Sequence, residues 1–295
     1  MRAGERGFLL LSSCLGDPAR KPLTTAQMRV LADRSWRLDV ADADRDIKAE
    51  DLMTLGYGQA MAQRIVYLLS QEDVLEHYIA RGKRAGCTAL TRVSESYPLR
   101  LRKTLALDSP GVIWAKGDLS VLRTPCVALV GSRELEEQNK IFAMEVGRQA
   151  ALQGYTLVSG NARGADRTAQ DVCLAAGGRV ICIVADDLSR HREKENVLYL
   201  SEEDFDAEFS AQRALSRNRL IHALGDKTLV AQCRSGMGGT WDGTVKNLRF
   251  GWSSVFCFDD GSEGMTRLAQ MGAQRVTISQ LRDLSALEAD QKSLF

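Results

Sequence analysis

The 295-residue sequence has few of the features that mark a membrane, secreted or metal-dependent protein. No apolar run approaches the roughly 18 residues that a membrane-spanning helix needs, and the apolar stretch at residues 8–11 is too short for a secretory signal. The seven cysteines stand singly, without a CxxC pair, and their number is odd. In a chain of this length, these features predict a reducing, cytoplasmic location and no contact with a membrane.

Motifs for metal binding and catalysis are also scarce. The histidines His77, His191 and His222 are far apart in sequence, and no HExxH, no zinc-type Cys/His spacing and no GxxxxGK[ST] is present. We therefore expect no metal, no cofactor and no ATP hydrolysis of the P-loop type.

Residues 126–184 contain the clearest pattern in the chain. Three apolar runs, CVALV, TLV and RVICIV, alternate with two amphipathic segments of helix length, and a Gly/Ser turn ends each of the first two runs. Strand, glycine turn and helix form the repeating unit of a parallel sheet with helices on both faces. Further strands are predicted at residues 227–233 and 253–260, whereas residues 185–200 are predicted to be a loop. The pattern indicates an α/β, Rossmann-like fold.

The distribution of proline and of charged residues along the chain indicates where its domains divide. All five prolines precede residue 126, and the basic residues of the first part outnumber its acidic residues. Residues 51–69 resemble a helix-hairpin-helix, which either contacts a phosphate or is a plain turn in a small bundle. We predict a small helical domain, of the SAM or helix-hairpin-helix type, at residues 1–88. A connecting segment at 89–124 leads into the sheet, and a Rossmann-like domain occupies 125–295.

Three glycine turns carry the candidate site. Glycine lets backbone N–H groups approach a ligand closely, a helix N-terminus favours an anion, and arginine adds a bidentate phosphate donor. Parallel strands bring such turns together at the carboxyl edge of the sheet. The candidate residues are Gly131, Ser132 and Arg133 in the first turn; Ser159, Gly160, Arg163, Gly164 and Asp166 in the second; and Ser235, Gly236, Gly239 and Thr240 in the third.

Each candidate also has a purely structural interpretation. Arg133 and Arg163 either bind phosphate or form salt bridges within the fold. Asp166 is interpreted as a helix-opening cap or an arginine-holding residue rather than a catalyst, so no catalytic residue is assigned. Ser159 and Ser235 either donate to phosphate or shape their turns.

Five ordered motifs resemble those of the DNA-processing protein A family (DprA, also called Smf). The chain has YPLRLR, VALVGSR, SGNARGAD, SRNRLI and SGMGGT where the family has YPxxLR, VGxR, SGxARGxD, RNRxI and SGxxxT. The resemblance implies a homodimeric single-stranded DNA binder that protects DNA and helps load a RecA-type recombinase during DNA uptake or recombination. It also implies that Arg217, Asn218 and Arg219 face the same phosphate-binding groove.

The chain departs from the family pattern in several places. Gln170 stands where the family has His, and the charged residues 186–196 replace a short glycine loop. Because few residues follow Ile278, we expect no C-terminal winged-helix domain. These departures leave open whether the setting is transformation, repair or defence.

Two other functions remain possible from the residues alone. Phosphoribohydrolases of a related Rossmann-like superfamily use a GGxGTxxE turn to cleave the N-glycosidic bond of a nucleotide. The corresponding turn here is GMGGTWDG, with Gly243 at the glutamate position and Asp242 beside it. The alternative to such an enzyme is a sensor of a free nucleotide, which the insert at 186–196 would suit.

Overall fold

The computed structural model describes residues 1–35, 37 and 46–288, and the chain divides into two compact units. The first unit consists of Met1–Trp114 and Glu202–Ala207, and the second of Ala115–Ser201 and Glu208–Phe295. The predicted division into 1–88, 89–124 and 125–295 remains a prediction, and residues 36, 38–45 and 289–295 of those ranges lie outside the described part.

The first unit is mainly helical. Its helices are α1 (Ala3–Ser12), α2 (Thr25–Ser35), α3 (Ala49–Thr54), α4 (Gln59–Leu69), α5 (Glu72–Arg84) and α6 (Leu99–Leu105). Its core combines apolar side chains from α1 to α4 with Leu23, and the fully buried members include Leu52, Ile65 and Leu68. Helices α3 and α4 are joined at Gly56, which has a positive φ and whose carbonyl oxygen accepts a 3.0 Å hydrogen bond from Arg34. The glycine hairpin predicted here is therefore present.

The YPLRLR motif belongs to this first unit and serves its packing. The Tyr97 hydroxyl donates a 2.8 Å hydrogen bond to the carbonyl oxygen of Pro110, and Leu101 is fully buried. The strand β1 (Cys87–Thr91) precedes the motif. The strand β2 (Val112–Gly117) follows it, beginning in the first unit and ending in the second.

Residues Glu202–Ala207 complete the first unit although they come late in the chain. The buried Phe205 ring lies 4.8 Å from both the Tyr78 and the Trp114 ring centroids. The Tyr78 hydroxyl donates a 2.6 Å hydrogen bond to Asp206. These contacts hold the returning segment against α5.

The second unit is built on a parallel sheet. Its strands are β3 (Cys126–Val130), β4 (Thr156–Ser159), β5 (Arg179–Ile183), β6 (Val197–Ser201), β7 (Lys227–Val230), β8 (Ser254–Phe258) and β9 (Gln274–Val276). Within this unit they lie side by side in the order β6-β5-β4-β3-β7-β8-β9, and each neighbouring pair is parallel. The central strands are almost completely buried, which explains their continuous apolar sequences.

Helices connect these strands. They are α7 (Glu137–Leu152), α8 (Ala165–Ala175), α9 (Ala211–Ser216), α10 (Asn218–Leu224), α11 (Gly238–Phe250) and α12 (Glu263–Gln270). Helix α7 packs against α8, and α10 packs against α11. The predicted α/β fold, with a mostly parallel sheet and a helical N-terminal part, is confirmed. Among the described residues, no helix has the length and apolar character needed to cross a membrane.

The prediction of a loop over residues 185–200 is wrong at its end, because Val197–Ser201 form β6. All five of these residues are buried, and the strand pairs in register with β5. The strand was missed because the charged residues just before it conceal the start of a short apolar run. Residues 186–196 are irregular apart from a single 3-10 turn at Leu188–Arg190.

Candidate functional site

A groove lies where the strand order of the second unit reverses. The chain proceeds outward from β3 through β4, β5 and β6, and then returns to the other side of β3 with β7. Open parallel sheets bind ligands at such a switch point, beyond the carboxyl ends of the strands. A cavity of about 530 Å³ occupies this place and is lined by the turns that follow β3, β4 and β7 and by α9 and α10. We call it the turn groove.

Hydrogen bonds connect the first glycine turn to the other two. The Ser132 N–H donates to the carbonyl oxygen of Gln232 (2.9 Å), and the Ala165 N–H donates to the carbonyl oxygen of Ser132 (3.1 Å). The Thr240 hydroxyl donates to the carbonyl oxygen of Gly131 (2.9 Å). The motifs that are separated in sequence are thus joined by hydrogen bonds into one cradle.

Two glycines in this cradle are required by close packing. A Cβ on Gly131 would lie 2.5 Å from the Ala165 Cβ. Gly164 has a φ of +84°, and a Cβ on it would lie 2.4 Å from the carbonyl oxygen of Arg133. These contacts explain why both turns contain glycine, since a larger residue would force the turns apart.

The buried Asp166 carboxylate is bonded to the backbone of the second turn. Its carboxylate accepts hydrogen bonds from the N–H groups of Gly160 (2.9 Å) and Ala162 (3.1 Å). Burial raises the pKa of Asp166, while the nearby charge of Arg217 and the two N–H donors act in the opposite direction. This position agrees with the interpretation of Asp166 as a residue that holds the site rather than a catalyst.

Arg217 differs from its predicted role as a phosphate ligand. The residue is only 8% exposed, and its guanidinium donates to the carbonyl oxygens of Gly160 and Ile183. Its charge and donors are therefore directed at the backbone beneath the second turn. We reassign Arg217 from a phosphate donor to a clamp that connects the ends of β4 and β5.

Ser159 also lies beneath the second turn. Its side chain is fully buried, and its hydroxyl accepts a 2.6 Å hydrogen bond from Gln170, the residue that stands where the family has His. The prediction left open whether Ser159 donates to phosphate or shapes its turn, and both interpretations remain predictions.

Arg133 and Arg163 are both exposed, and their side chains make no hydrogen bond or ion pair within the described residues. Arg133 lines the turn groove, whereas Arg163 lies on the second turn outside the groove lining. Arg234, which was not predicted, is exposed and also lines the groove, just after β7. Its place between a predicted strand and a glycine turn was the signal that could have identified it.

Asn218 and Arg219 lie on the far side of the groove. The Asn218 amide donates a 3.1 Å hydrogen bond to the carbonyl oxygen of Gly239, which attaches α10 to the third turn. Arg219 lines a neighbouring pocket of about 330 Å³ together with Lys246. The four predicted arginines therefore do not converge at one point. Arg133 and the largely buried Arg217 line the groove, Arg163 lies outside its lining, and Arg219 lines the neighbouring pocket.

The third turn presents a helix N-terminus to the groove. Gly238, Gly239 and Thr240 begin α11 and line the groove, and Gly236 has a φ of +70°. The Ser235 hydroxyl is buried and has no hydrogen-bond partner among the described residues. An anion is stabilised at such a helix start.

Three exposed apolar side chains also line the turn groove, and we call them its apolar wall. Phe209, Leu215 and Met237 are 59%, 50% and 64% exposed and line the groove. Phe209 precedes α9, which begins two residues later at Ala211. The groove thus combines cationic and apolar walls. Among the described residues, no group of three or more His, Cys, Asp or Glu side chains could hold a metal ion.

The fold and the groove define a Rossmann-like protein whose glycine turns and exposed arginines suit a phosphate-bearing ligand. A model of the DNA recombination-mediator protein A family matches residues 88–285, and the chain belongs to that family. The resemblance found in the motifs is thereby confirmed.

Individual relatives agree with this assignment. The chain is 25% identical to DNA processing protein DprA of Bacillus subtilis over 280 residues, which is 88% of this chain and 93% of the relative. It is 30% identical to DNA processing protein DprA of Streptococcus pneumoniae over 201 residues, which is 64% of this chain and 70% of the relative.

Two solved structures share the fold. The X-ray structure of DNA processing protein A from Streptococcus pneumoniae has a TM-score of 0.73 at 24% identity and covers 95% of this chain and 97% of that one. A structure that describes the single-stranded DNA binding mode of DNA processing protein A from Helicobacter pylori has a TM-score of 0.56 at 24% identity. It covers 66% of this chain and 94% of that one.

Proposed function

We propose that this chain binds single-stranded DNA in the turn groove and acts in DNA processing. The observation that carries the proposal is the pairing of two kinds of wall in one groove. Arg133 and Arg234 supply exposed guanidinium groups, and Phe209 and Met237 supply exposed apolar surface to the same groove. Single strands are held by basic tracks with stacking surfaces, because both phosphates and base faces are accessible.

The phosphates are assigned to the turns. The start of α11 and the first turn offer backbone N–H groups, and Arg133 and Arg234 add charge-assisted donors beside them. Arg163 extends the basic surface along the second turn. Because the logarithm of the affinity falls linearly with the logarithm of the salt concentration, these three exposed arginines should contribute about −2 to the slope when each contacts a phosphate. The four arginines named from the sequence would contribute about −3. The difference arises because Arg217 is a clamp and Arg219 lies outside the turn groove, whereas Arg234 is added.

The bases are assigned to the apolar wall. Phe209 and Met237 can contact any base face, and among the residues that line the groove we assign no side chain to reading base edges. The contribution of the turn groove to binding is therefore largely independent of sequence. Duplex DNA, whose base faces are covered by stacking, should bind more weakly.

Relatives support the same proposal. Curated relatives are named DNA processing proteins, and a structural neighbour is described as binding single-stranded DNA. We infer that this chain likewise works in the cytoplasm on single strands during DNA uptake or recombination. We also infer that it forms a homodimer and passes its DNA to a RecA-type recombinase.

We propose that the chain is a binder rather than a nucleotide N-glycosidase. Gly243 offers no carboxylate at the position where such enzymes have glutamate. Asp242 lines the neighbouring pocket and not the turn groove. A carboxylate needs to reach the bond that it helps to cleave, and this one lies outside the phosphate cradle.

The test is fluorescence anisotropy with a labelled oligo-dT and competition by duplex DNA and by nucleoside monophosphates. We expect tight binding that is poorly competed by duplex and by monophosphates, and no release of free base from a nucleotide. Failure to bind the oligonucleotide, with a monophosphate bound or cleaved instead, would replace this function by a nucleotide sensor or enzyme.

A further inference from the structure

A second pocket adjoins the turn groove and has no role in the phosphate cradle. Its volume is about 330 Å³, and it lies between α9, α10 and α11. It shares Leu215, Asn218 and Gly239 with the turn groove, so the two cavities are neighbours along one surface of the second unit. We call it the Trp252 pocket.

One wall of this pocket is aromatic. Trp252 lines the pocket and is partly exposed, and its ring is stacked with that of Phe250 at a centroid distance of 5.5 Å and an angle of 17°. Arg249 lies over the outer side of Phe250, 5.5 Å from its centroid. The Phe250 contact fixes the plane of the Trp252 ring. A fixed, partly exposed indole is a suitable surface for a base to stack on.

Helices α10 and α11 contribute charged residues to the pocket. Asp242 and Lys246 lie one helical turn apart on α11, and both are exposed. Neither side chain makes a hydrogen bond or ion pair within the described residues. Arg219 reaches the same pocket from α10. The pocket therefore offers both a cation for a phosphate and a carboxylate that can only accept hydrogen bonds.

The floor of the pocket is bare backbone. Gly239 and Gly243 line it, and a Cβ on Gly243 would lie 3.1 Å from the buried Nε2 of His222. The absence of side chains at these two positions leaves depth for a flat ring beside Trp252. It also explains why the glutamate of the hydrolase turn could not be accommodated at Gly243 without movement of His222.

We propose that the Trp252 pocket binds one nucleobase of the same DNA strand, with a preference for a base that bears an exocyclic amine. This inference rests on the proposed function of the turn groove. The base stacks on Trp252, its amine donates to Asp242, and Lys246 pairs with the adjoining phosphate. Cytosine, adenine and guanine have such an amine, whereas thymine has none. The strand then runs from the turns after β3 and β7 past Asn218 to α11.

The test compares labelled oligo-dC and oligo-dT of equal length in anisotropy titrations. For the wild type we expect oligo-dC to bind about tenfold more tightly than oligo-dT. Asp242→Ala should remove this difference. Trp252→Leu should weaken both oligonucleotides about tenfold without altering the salt slope, since stacking releases no counterions. Lys246→Gln should reduce the slope by about 0.7.

Trp241→Leu is the matched control, because Trp241 is a partly buried residue of the same helix that lines neither cavity. Thermal unfolding of each variant separates local effects from loss of fold, and Trp252→Phe retains a stacking ring if the leucine variant is unstable. Equal affinity of the wild type for oligo-dC and oligo-dT would overturn the proposal. The proposal would also be overturned if the Trp252→Leu and Trp241→Leu variants bound the oligonucleotides with equal affinity.

Failure of the proposed function gives a different result. In that case the wild type binds neither oligonucleotide, or binds both with an affinity that Arg133→Ala leaves unchanged. If only dCMP binds, and binds in a Trp252-dependent manner, the pocket takes a free nucleotide and the strand assignment is wrong.

Discussion

The guanidinium of Arg217 donates a hydrogen bond to the carbonyl oxygen of Gly160, 57 residues earlier in the chain. A second bond runs from the same side chain to the carbonyl oxygen of Ile183. A Cβ on Gly160 would lie about 2.5 Å from this guanidinium, so glycine is needed for the contact. The arginine and glycine of two separate motifs thus form one structural unit beneath the turn groove.

Removing this clamp should destabilise the protein. Arg217→Ala leaves two buried carbonyl groups without their donor and Asp166 without its nearby positive charge. We expect a loss of about 2–4 kcal/mol in the free energy of unfolding, measured by urea denaturation. Arg217→Lys should recover only part of it, because one ammonium group lacks the forked geometry. Arg133→Ala is the control and should change stability by no more than about 0.5 kcal/mol. Equal losses for the two alanine variants would contradict the assignment.

The close approach of the first two turns can be tested at Gly164. Gly164→Ala should destabilise by more than the roughly 1–3 kcal/mol of backbone strain, because the new Cβ also collides with the carbonyl oxygen of Arg133. Gly177→Ala is a matched control, since Gly177 has a φ of +75° with open space around it. The difference between the two variants in thermal or urea unfolding measures the collision alone. If both variants lose the same stability, the turns are not packed as described.

The sequence was a good guide to this fold where local signals are strong. The strands β3, β4 and β5, the glycine turns and the helices after them follow from apolar runs and glycine positions. It could not show which arginines point outward. Arg217 and Arg219 differ by two positions and share one motif, yet one is buried under a turn and the other lines the Trp252 pocket. That distinction depends on where α10 packs, which no local pattern encodes.

A buried histidine gives the protein a predictable acid sensitivity. His222 is fully buried, and burial lowers its pKa to about 3, from about 6.5 in an unfolded chain. At pH values between these two pKa values, the unfolded state binds more protons than the folded state does. The contribution of His222 to stability is therefore lost as the pH falls through this range. Between pH 7.5 and 5.0 the cost is about 2 kcal/mol. Urea denaturation at the two pH values should show a smaller pH-dependent loss for His222→Gln. The same loss in both proteins would show that His222 is not the titrating group.

We expect the apolar wall of the turn groove to contribute to the affinity for DNA independently of salt concentration. The double variant Phe209→Ala/Met237→Ala should weaken oligo-dT binding about tenfold or more, because stacking surface is lost, while the salt slope stays unchanged. An oligonucleotide with abasic sites should bind the wild type and the double variant with similar affinity. If the abasic strand binds the wild type as tightly as oligo-dT, the bases do not contact this wall.

The most direct test of the phosphate cradle is the salt dependence of oligo-dT binding by the wild type and by Arg133→Ala/Arg163→Ala. Arg148→Ala, which removes an arginine near the other end of α7, serves as the control. We predict a slope of about −3 for the wild type and the control, of which the three exposed arginines contribute about −2 and Lys246 the rest. In the double variant its magnitude falls by about 1.4, because two phosphate contacts are lost. Identical slopes for all three proteins, or a slope near zero in the wild type, would contradict the account.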